Sequence, residues 1–359
     1  MRLDQVHGHD RLKRLLGRAL ERDRLPPSLL FAGPDGVGKK TLALAAGQAL
    51  LCEQAPVAEP CGQCRMCRRI ESGLLSLDAL RLRADARPDE DTWRNFRIHP
   101  DLVLAEGWSL TKTGRPRPEP NIRVDQVREL IGEIAAAPFE ARRRLFVIDD
   151  AHTMTEEAQN ALLKSLEEPA PRSHVVLVSS APLGLLQTIR SRCQLLRFGP
   201  LPRPVVAGLL QQRAGVTEDE ARLRAGLAGG SMGAALQLES EAYRDVRERL
   251  LGLLEALDGM PPLERMRAAQ ELEQSETPAL LFTTLRSLLR DVAAARAGAD
   301  PKSLVHADVA ARLTALAAKP VAARASELAD RAAEARAAIR GFAVKLLTFD
   351  VLVDVLAGE

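Results

Sequence analysis

The stretch GPDGVGKK, Gly33 to Lys40, constrains the fold more than any other part of this chain. It matches G-x-x-x-x-G-K, follows the short apolar run Ser28–Ala32 (SLLFA) and opens the Ala/Leu-rich segment Thr41–Leu51. The apolar run is too brief for a helix, so the order reads strand, phosphate-type loop, helix. In such a loop Gly33, Gly36 and Gly38 let backbone N–H groups curl round phosphate oxygens. The helix N-terminus favours their charge, and Lys39 reaches the outer phosphates. An ordinary Gly-rich turn accounts for the glycines but not for the whole arrangement of strand, lysine and helix. One position departs from the pattern. The hydroxyl that ligates magnesium belongs at the eighth place, where this chain has Lys40, and Thr41 comes one residue late. One residue is about 100° round a helix, so Thr41 points away from the metal and productive Mg2+ coordination is in doubt.

The run LFVIDDAH, Leu145 to His152, reads as a buried strand ending in carboxylates at the carboxyl edge of a sheet, where ligands bind. Asp149 takes the place of the metal-side carboxylate. Asp150 stands where a phosphate-loop motor has Glu to polarise the attacking water, and its side chain is about one methylene too short for that base. Further strands are expected at Asp101–Ala105, Val175–Val178 and Leu195–Phe198, and helices at Arg11–Glu21, Asp125–Ala136 and Thr155–Leu166. Ser109–Pro120, with three prolines, reads as a polar loop, and Ser72–Arg97 as mixed and charged. Strands alternating with helices build a parallel sheet covered by helices, so 1–200 is expected to be one α/β phosphate-loop module.

After Pro200 no strand-like run follows. LPRP (Leu201–Pro204) reads as a hinge, 201–242 as a small helical lid and 243–359 as an all-helical domain, with Leu281, Leu285, Leu288, Leu289 and Val292 on one helix face. Composition agrees, since 8 Phe, 2 Trp and 1 Tyr in 359 residues leave the core to Leu, Ala, Val and Ile. So few rings exclude a base-stacking platform for single strands. A net charge of +2 gives no global field for phosphate or anionic lipid. No stretch is apolar enough for a bilayer span of ~20 residues, and MRLDQVHGHDRLKR has no apolar signal core, so a cytoplasmic chain without a membrane partner is expected.

Cys52, Cys61, Cys64 and Cys67 are spaced C-x8-C-x2-C-x2-C. Four thiolates close a tetrahedral structural zinc site with no open position for catalysis. An iron–sulfur run would continue C-x3-C-P, whereas Arg68, Arg69, Ile70 and Glu71 follow here. A redox CxxC would leave two cysteines without a role. Cys193 reads as a small buried hydrophobe.

GPDGVGKKTLA, the cysteine cluster, HPD (His99–Asp101), VIDDAHTMTEEAQNALLKSLEEP (Val147–Pro169) and LLQTIRSRCQ (Leu185–Gln194) together resemble the delta-prime family of bacterial DNA polymerase III clamp-loader subunits, within the AAA+ proteins. The resemblance covers nearly all of the first 200 residues. It implies an AAA+ module with a zinc knuckle, a helical lid and a C-terminal collar. Through the collar the chain would join gamma/tau motor subunits and delta in a hetero-pentamer that places the sliding clamp on primer-template DNA, with ATP at subunit interfaces. It also implies that Arg192 of Ser191–Cys193 is an arginine finger acting in trans, a task suited to a planar, permanently charged guanidinium. Ser179 and Ser180 lie at the first nucleotide-sensing position, and Gly233 stands where motor subunits carry a lid arginine. With Lys40, Asp150 and Gly233 all departing from the motor pattern, the expectation is a subunit with little ATP hydrolysis of its own. The alternatives are an active ATPase, with Thr41 and Asp150 serving after all, and a nucleotide-binding regulatory module unrelated to replication.

Overall fold

The computed structural model describes residues 2–82, 95–110, 116–118, 121–238, 240–273, 278–340, 353, 354 and 356. By their contacts they divide into two units, 1–205 with 231–233, and 206–230 with 234–359.

In the first unit the elements run α1 (Asp10–Glu21), β1 (Ser28–Ala32), α2 (Lys39–Leu51), α3 (Arg65–Leu82), β2 (Asn95–His99), β3 (Leu102–Ala105), β4 (Trp108–Leu110) and β5 (Pro116–Pro118). They continue with α4 (Val124–Ala135), β6 (Arg144–Ile148), α5 (Glu156–Glu167), β7 (Ser173–Ser179), α6 (Gln187–Arg192) and β8 (Gln194–Arg197). The main sheet has the order β2-β3-β6-β7-β1-β8. All its pairs are parallel except β2 against β3.

The strands read as continuous apolar runs because both faces are covered. Leu29 and Phe31 of β1 join Leu42, Ala46, Leu102, Leu145 and Val176 in a core with α1 and α2. The alternate residues Leu30 and Ala32 join Val103, Phe146, Leu177, Leu130 and Leu162 in a second core with α4 and α5. The period of 2 along a strand thus distributes one sequence run between two cores. Thr155 caps α5, accepting the Ala158 N–H at 3.3 Å.

The sheet is parallel and flanked by helices, as expected, with one antiparallel edge: β2, which begins inside the segment read as mixed and charged, pairs with β3, and the helix α3 precedes it. One expectation is corrected. The polar loop at 109–120 contains a two-stranded antiparallel pair, β4 with β5. Pro116 and Pro118 are compatible with it because they alternate with Arg117, whose partner in the ladder is Ser109, so only one edge of β5 loses its donors. The stretches 83–94, 111–115 and 119–120 of those two segments lie outside the described residues.

The described residues of the second unit form helices and no strands, from α7 (Arg203–Ala214), which begins at the boundary, and α8 (Glu218–Leu227) to α9 (Met232–Gln237), α10 (Ser240–Ala256), α11 (Pro262–Glu273), α12 (Pro278–Arg296), α13 (Ala310–Ala317) and α14 (Ala325–Arg340). Leu281, Leu285, Leu288, Leu289 and Val292 of α12 are all buried, packed with Leu250, Leu254, Leu313 and Leu328. Asp291, a buried carboxylate on the same helix, accepts the backbone N–H groups of Val305 and His306 and pairs with His306 Nδ1 at 2.7 Å. No described helix is long and apolar enough to cross a membrane.

Candidate functional site

The phosphate-type loop leaves the carboxyl end of β1, which lies between β7 and β8. Gly36 and Gly38 have φ of 68° and 100°, backbone that only glycine adopts without strain, and Gly38 caps α2. The N–H groups of the first turn of α2 are thereby turned toward the loop's concavity. Lys39 is buried, and its Nζ donates to the loop's own carbonyls, Gly33 O at 2.9 Å and Pro34 O at 2.6 Å. Burial lowers its pKa, so an added anion would favour its charged form.

Lys40 turns elsewhere. Its Nζ lies 2.6 Å from Asp149 Oδ2 and 2.8 Å from Glu106 Oε1. The sheet makes this possible: Ala105 and Ile148 are level on the adjacent parallel strands β3 and β6, so the residues that follow them, Glu106 and Asp149, emerge together at the carboxyl edge. Burial favours the neutral amine, but the two carboxylates outweigh it and hold the Lys40 pKa above its ordinary value. Glu106 was not among the residues expected from sequence, although its signal, a carboxylate directly after DLVLA, is visible there. Thr41 is half-buried on the first turn of α2. Asp150 is exposed with φ 45° and opens a short 3-10 turn over Ala151–Thr153. Ser179 is fully buried, and Ser180 Oγ is 3.4 Å from His152 Nε2. The Gly33 N–H donates to Ser179 O, tying the loop to the end of β7.

Gly233 lies directly against the loop. The N–H groups of Met232 and Gly233 donate to Gly36 O at 2.9 and 3.2 Å, and a Cβ on Gly36 would stand 2.3 Å from Ser231 Oγ. The lid-motif glycine is therefore at the phosphate cradle, where it brings no side chain. The cradle fits a nucleoside phosphate. The metal-side residues do not fit Mg2+, because an ammonium takes the carboxylate that would ligate it.

Arg192 ends α6, exposed, with Nη2 2.5 Å from Glu167 Oε1 and Nη1 donating to Thr188 O at 2.9 Å. Gln159 fixes the approach to α6, donating to Met154 O and Gly184 O and accepting the Leu186 N–H. Gln194 is level with Leu29, four residues before Gly33. At ~3.3 Å per residue Arg192 is more than about 13 Å from its own phosphate loop along the strands, at the opposite end of the sheet.

The Sγ atoms of Cys52, Cys61, Cys64 and Cys67 lie within 4.8 Å of one another, with the Cys52–Cys64 and Cys61–Cys67 pairs each at 4.0 Å. A tetrahedron of sulfurs about 2.3 Å from a central zinc has edges of about 3.8 Å, so the cluster fits that ion. The N–H groups of Gln63 and Cys64 bring the Cys61 thiol down to about 6, whereas burial pushes Cys52 and Cys67 up. Held as four thiolates, the cluster would need a cation among them. Cys193 is buried, and burial pushes its thiol to about 12, as expected of an inert core residue.

A model of the family described as DNA polymerase III, delta subunit, matches residues 8–202. The chain belongs to that family. Subunits named delta′ from Bacillus subtilis (strain 168) and Pseudomonas aeruginosa are 33% identical over 248 residues and 31% over 251. The alignments cover 69% and 68% of this chain and 64% of either relative. The tau subunit of B. subtilis is 28% identical over 246 residues, 67% of this chain and 38% of tau. The chain thus spans less than two thirds of the length of these relatives. Among solved structures, the Thermotoga maritima RuvB Holliday junction branch migration motor aligns at 15% identity with a TM-score of 0.41, over 68% of this chain and 64% of its own.

One residue of this delta-family chain has a role that the motif HPD did not disclose. Asp101 is fully buried and accepts the N–H groups of Phe139 at 2.7 Å and of Glu140 and Ala141 at 2.8 Å, with Arg144 Nε at 3.3 Å. Glu140 in turn pairs with Arg65 and Arg69 at the start of α3, and Arg142 donates to Ala55 O at 2.7 Å. The turn after α4 therefore fastens the cysteine segment to the amino end of the sheet.

Proposed function

We propose that this chain is a non-motor, delta-prime-type subunit of a cytoplasmic DNA polymerase III clamp loader. It would bind nucleotide without appreciable hydrolysis and donate Arg192 to ATP held by a neighbouring gamma/tau subunit. The observation that carries this reading is the pair of cations at opposite ends of one sheet: Lys40 is engaged by Asp149 and Glu106, while Arg192 is exposed at the far edge. A hydrolytic site needs a metal and a base at the first place, and this chain offers an ammonium and the short Asp150. A finger in trans needs an accessible guanidinium at the second. Residues 201–242 would serve as lid and 243–359 as the collar joining the other subunits, delta among them, into a hetero-pentamer. Contacts with the sliding clamp and primer-template DNA belong to that assembly.

Reconstituted clamp loading with Arg192→Ala tests the assignment. Turnover at the adjoining motor site falls by about 10³-fold or more; unchanged ATP turnover by the complex removes the finger role. Steady hydrolysis by the isolated chain that vanishes in Lys39→Ala would instead make it an active ATPase. The four cysteines would hold one structural Zn2+, and metal analysis finds one zinc per chain; iron with visible absorbance overturns this.

A further inference from the structure

The metal that phosphate-loop proteins use is the element this chain fits least, and the misfit is specific. We propose that the Lys40 ammonium is a built-in replacement for the divalent cation, so that the loop at 33–40 takes a nucleoside polyphosphate without Mg2+. The inference rests on the nucleotide-binding part of the proposed function and adds how charge is balanced there.

In a working site the hydroxyl at the eighth loop position and the carboxylate after the central strand hold one metal between them. Here the eighth residue supplies the cation itself. Its Nζ sits on Asp149 at 2.6 Å, and Glu106 at 2.8 Å completes a pocket of two carboxylates from adjacent strands. Those carboxylates are half-buried or buried, so an uncompensated pair would be unfavourable, and the chain compensates it covalently. A hydrated Mg2+ arriving at this place meets a fixed positive charge and a carboxylate already committed.

The phosphate cradle is otherwise intact. Gly36 and Gly38 keep the left-handed backbone of the loop, and α2 starts at Lys39. Among the described residues Lys39 Nζ donates to two loop carbonyls, which phosphate oxygens replace without loss. Lys39 then meets the polyphosphate in the metal's absence, while Lys40 stays on Asp149 and Glu106 and fills the metal's place between them. An ammonium donates hydrogen bonds but carries no exchangeable water and makes no inner-sphere bridge between phosphates, so binding persists while hydrolysis does not.

Calorimetric titration of the full chain with ADP, in excess MgCl2 and in excess EDTA, tests this. The two dissociation constants agree within about twofold, and in Lys40→Ser Mg2+ tightens ADP by about tenfold or more. A second readout needs no nucleotide: MgCl2 alone raises the Tm of Lys40→Ser and leaves that of the wild type unchanged. Wild-type affinity that rises tenfold or more with Mg2+ overturns the proposal and leaves the arginine assignment to its own experiment. No ADP binding in either buffer overturns the nucleotide-binding part of the proposed function and this inference with it.

Discussion

Lys40 and Arg192 are both cations held by carboxylates at the ends of one sheet, and the contrast between them explains how one module could be closed to chemistry at one end and useful to a neighbour at the other. The Lys40 side chain is 32% exposed, and its partners Glu106 and Asp149 are 9% and 13% exposed. Arg192 is paired with Glu167, whose side chain is 46% exposed. Moving Lys40 would leave two carboxylates facing each other in a poorly solvated corner, whereas moving Arg192 leaves Glu167 in water. The first cation is structural and the second is available.

That contrast breaks if the two ends respond alike. Lys40→Met is expected to lower unfolding stability in denaturant by about 2–3 kcal/mol, because it removes the ammonium that Asp149 and Glu106 share. A loss below about 0.5 kcal/mol would show the ammonium to be as loosely held as Arg192.

A smaller effect sharpens what the amino end does apart from Arg192. His174 is buried, with Nδ1 3.0 Å from Pro26 O and Nε2 3.2 Å from Arg143 Nη1, so the neutral tautomer that donates from Nδ1 and accepts at Nε2 satisfies both. Burial lowers its pKa first, and Arg143 adds to that; Asp23, paired with Arg143 at 2.7 Å, opposes it. The folded pKa therefore lies below the unfolded one, and the unfolded chain takes up the proton first. Stability from this residue is full above about pH 6.5 and is lost as pH falls toward the folded pKa, by at most ~1.4 kcal/mol per pH unit. His174→Gln flattens that slope in urea melts between neutral and mildly acid pH; an unchanged slope assigns it to other groups. Lys40, whose pKa is raised, keeps its charge throughout this range.

The smallest change belongs to Glu167→Gln, which releases Arg192 and costs at most about 1 kcal/mol of stability. Thermal unfolding should barely register it, and a drop comparable to that of Lys40→Met would make Arg192 a structural residue.

The features legible in the sequence were those written in consecutive residues. The loop at 33–40, the carboxylates after LFVI and the cysteine spacing each depend on local geometry, and the strands whose faces are both covered carry their signal as unbroken apolar runs. What escaped depends on pairing across the chain. Glu106 matters only because β3 lies beside β6, and Asp101 because the turn at 139–141 comes back to it. The strand β2 has its signal diluted by charges because one of its edges has no partner strand among the described residues, and β5 was obscured by prolines that an edge tolerates. Gly233 could be aligned with a motif, but its contact with Gly36 could not be read from spacing.

The Asp101 turn has one more consequence. Its carboxylate holds the amides of Phe139, Glu140 and Ala141, and the next side chains along that turn grip α3 and the chain beside the four cysteines. Loosening of the cysteine segment would be transmitted to those three amides before the strands behind them open. If the four cysteines hold a metal, the hydrogen-exchange rates of these amides would report its loss at a place where no ligand atom lies.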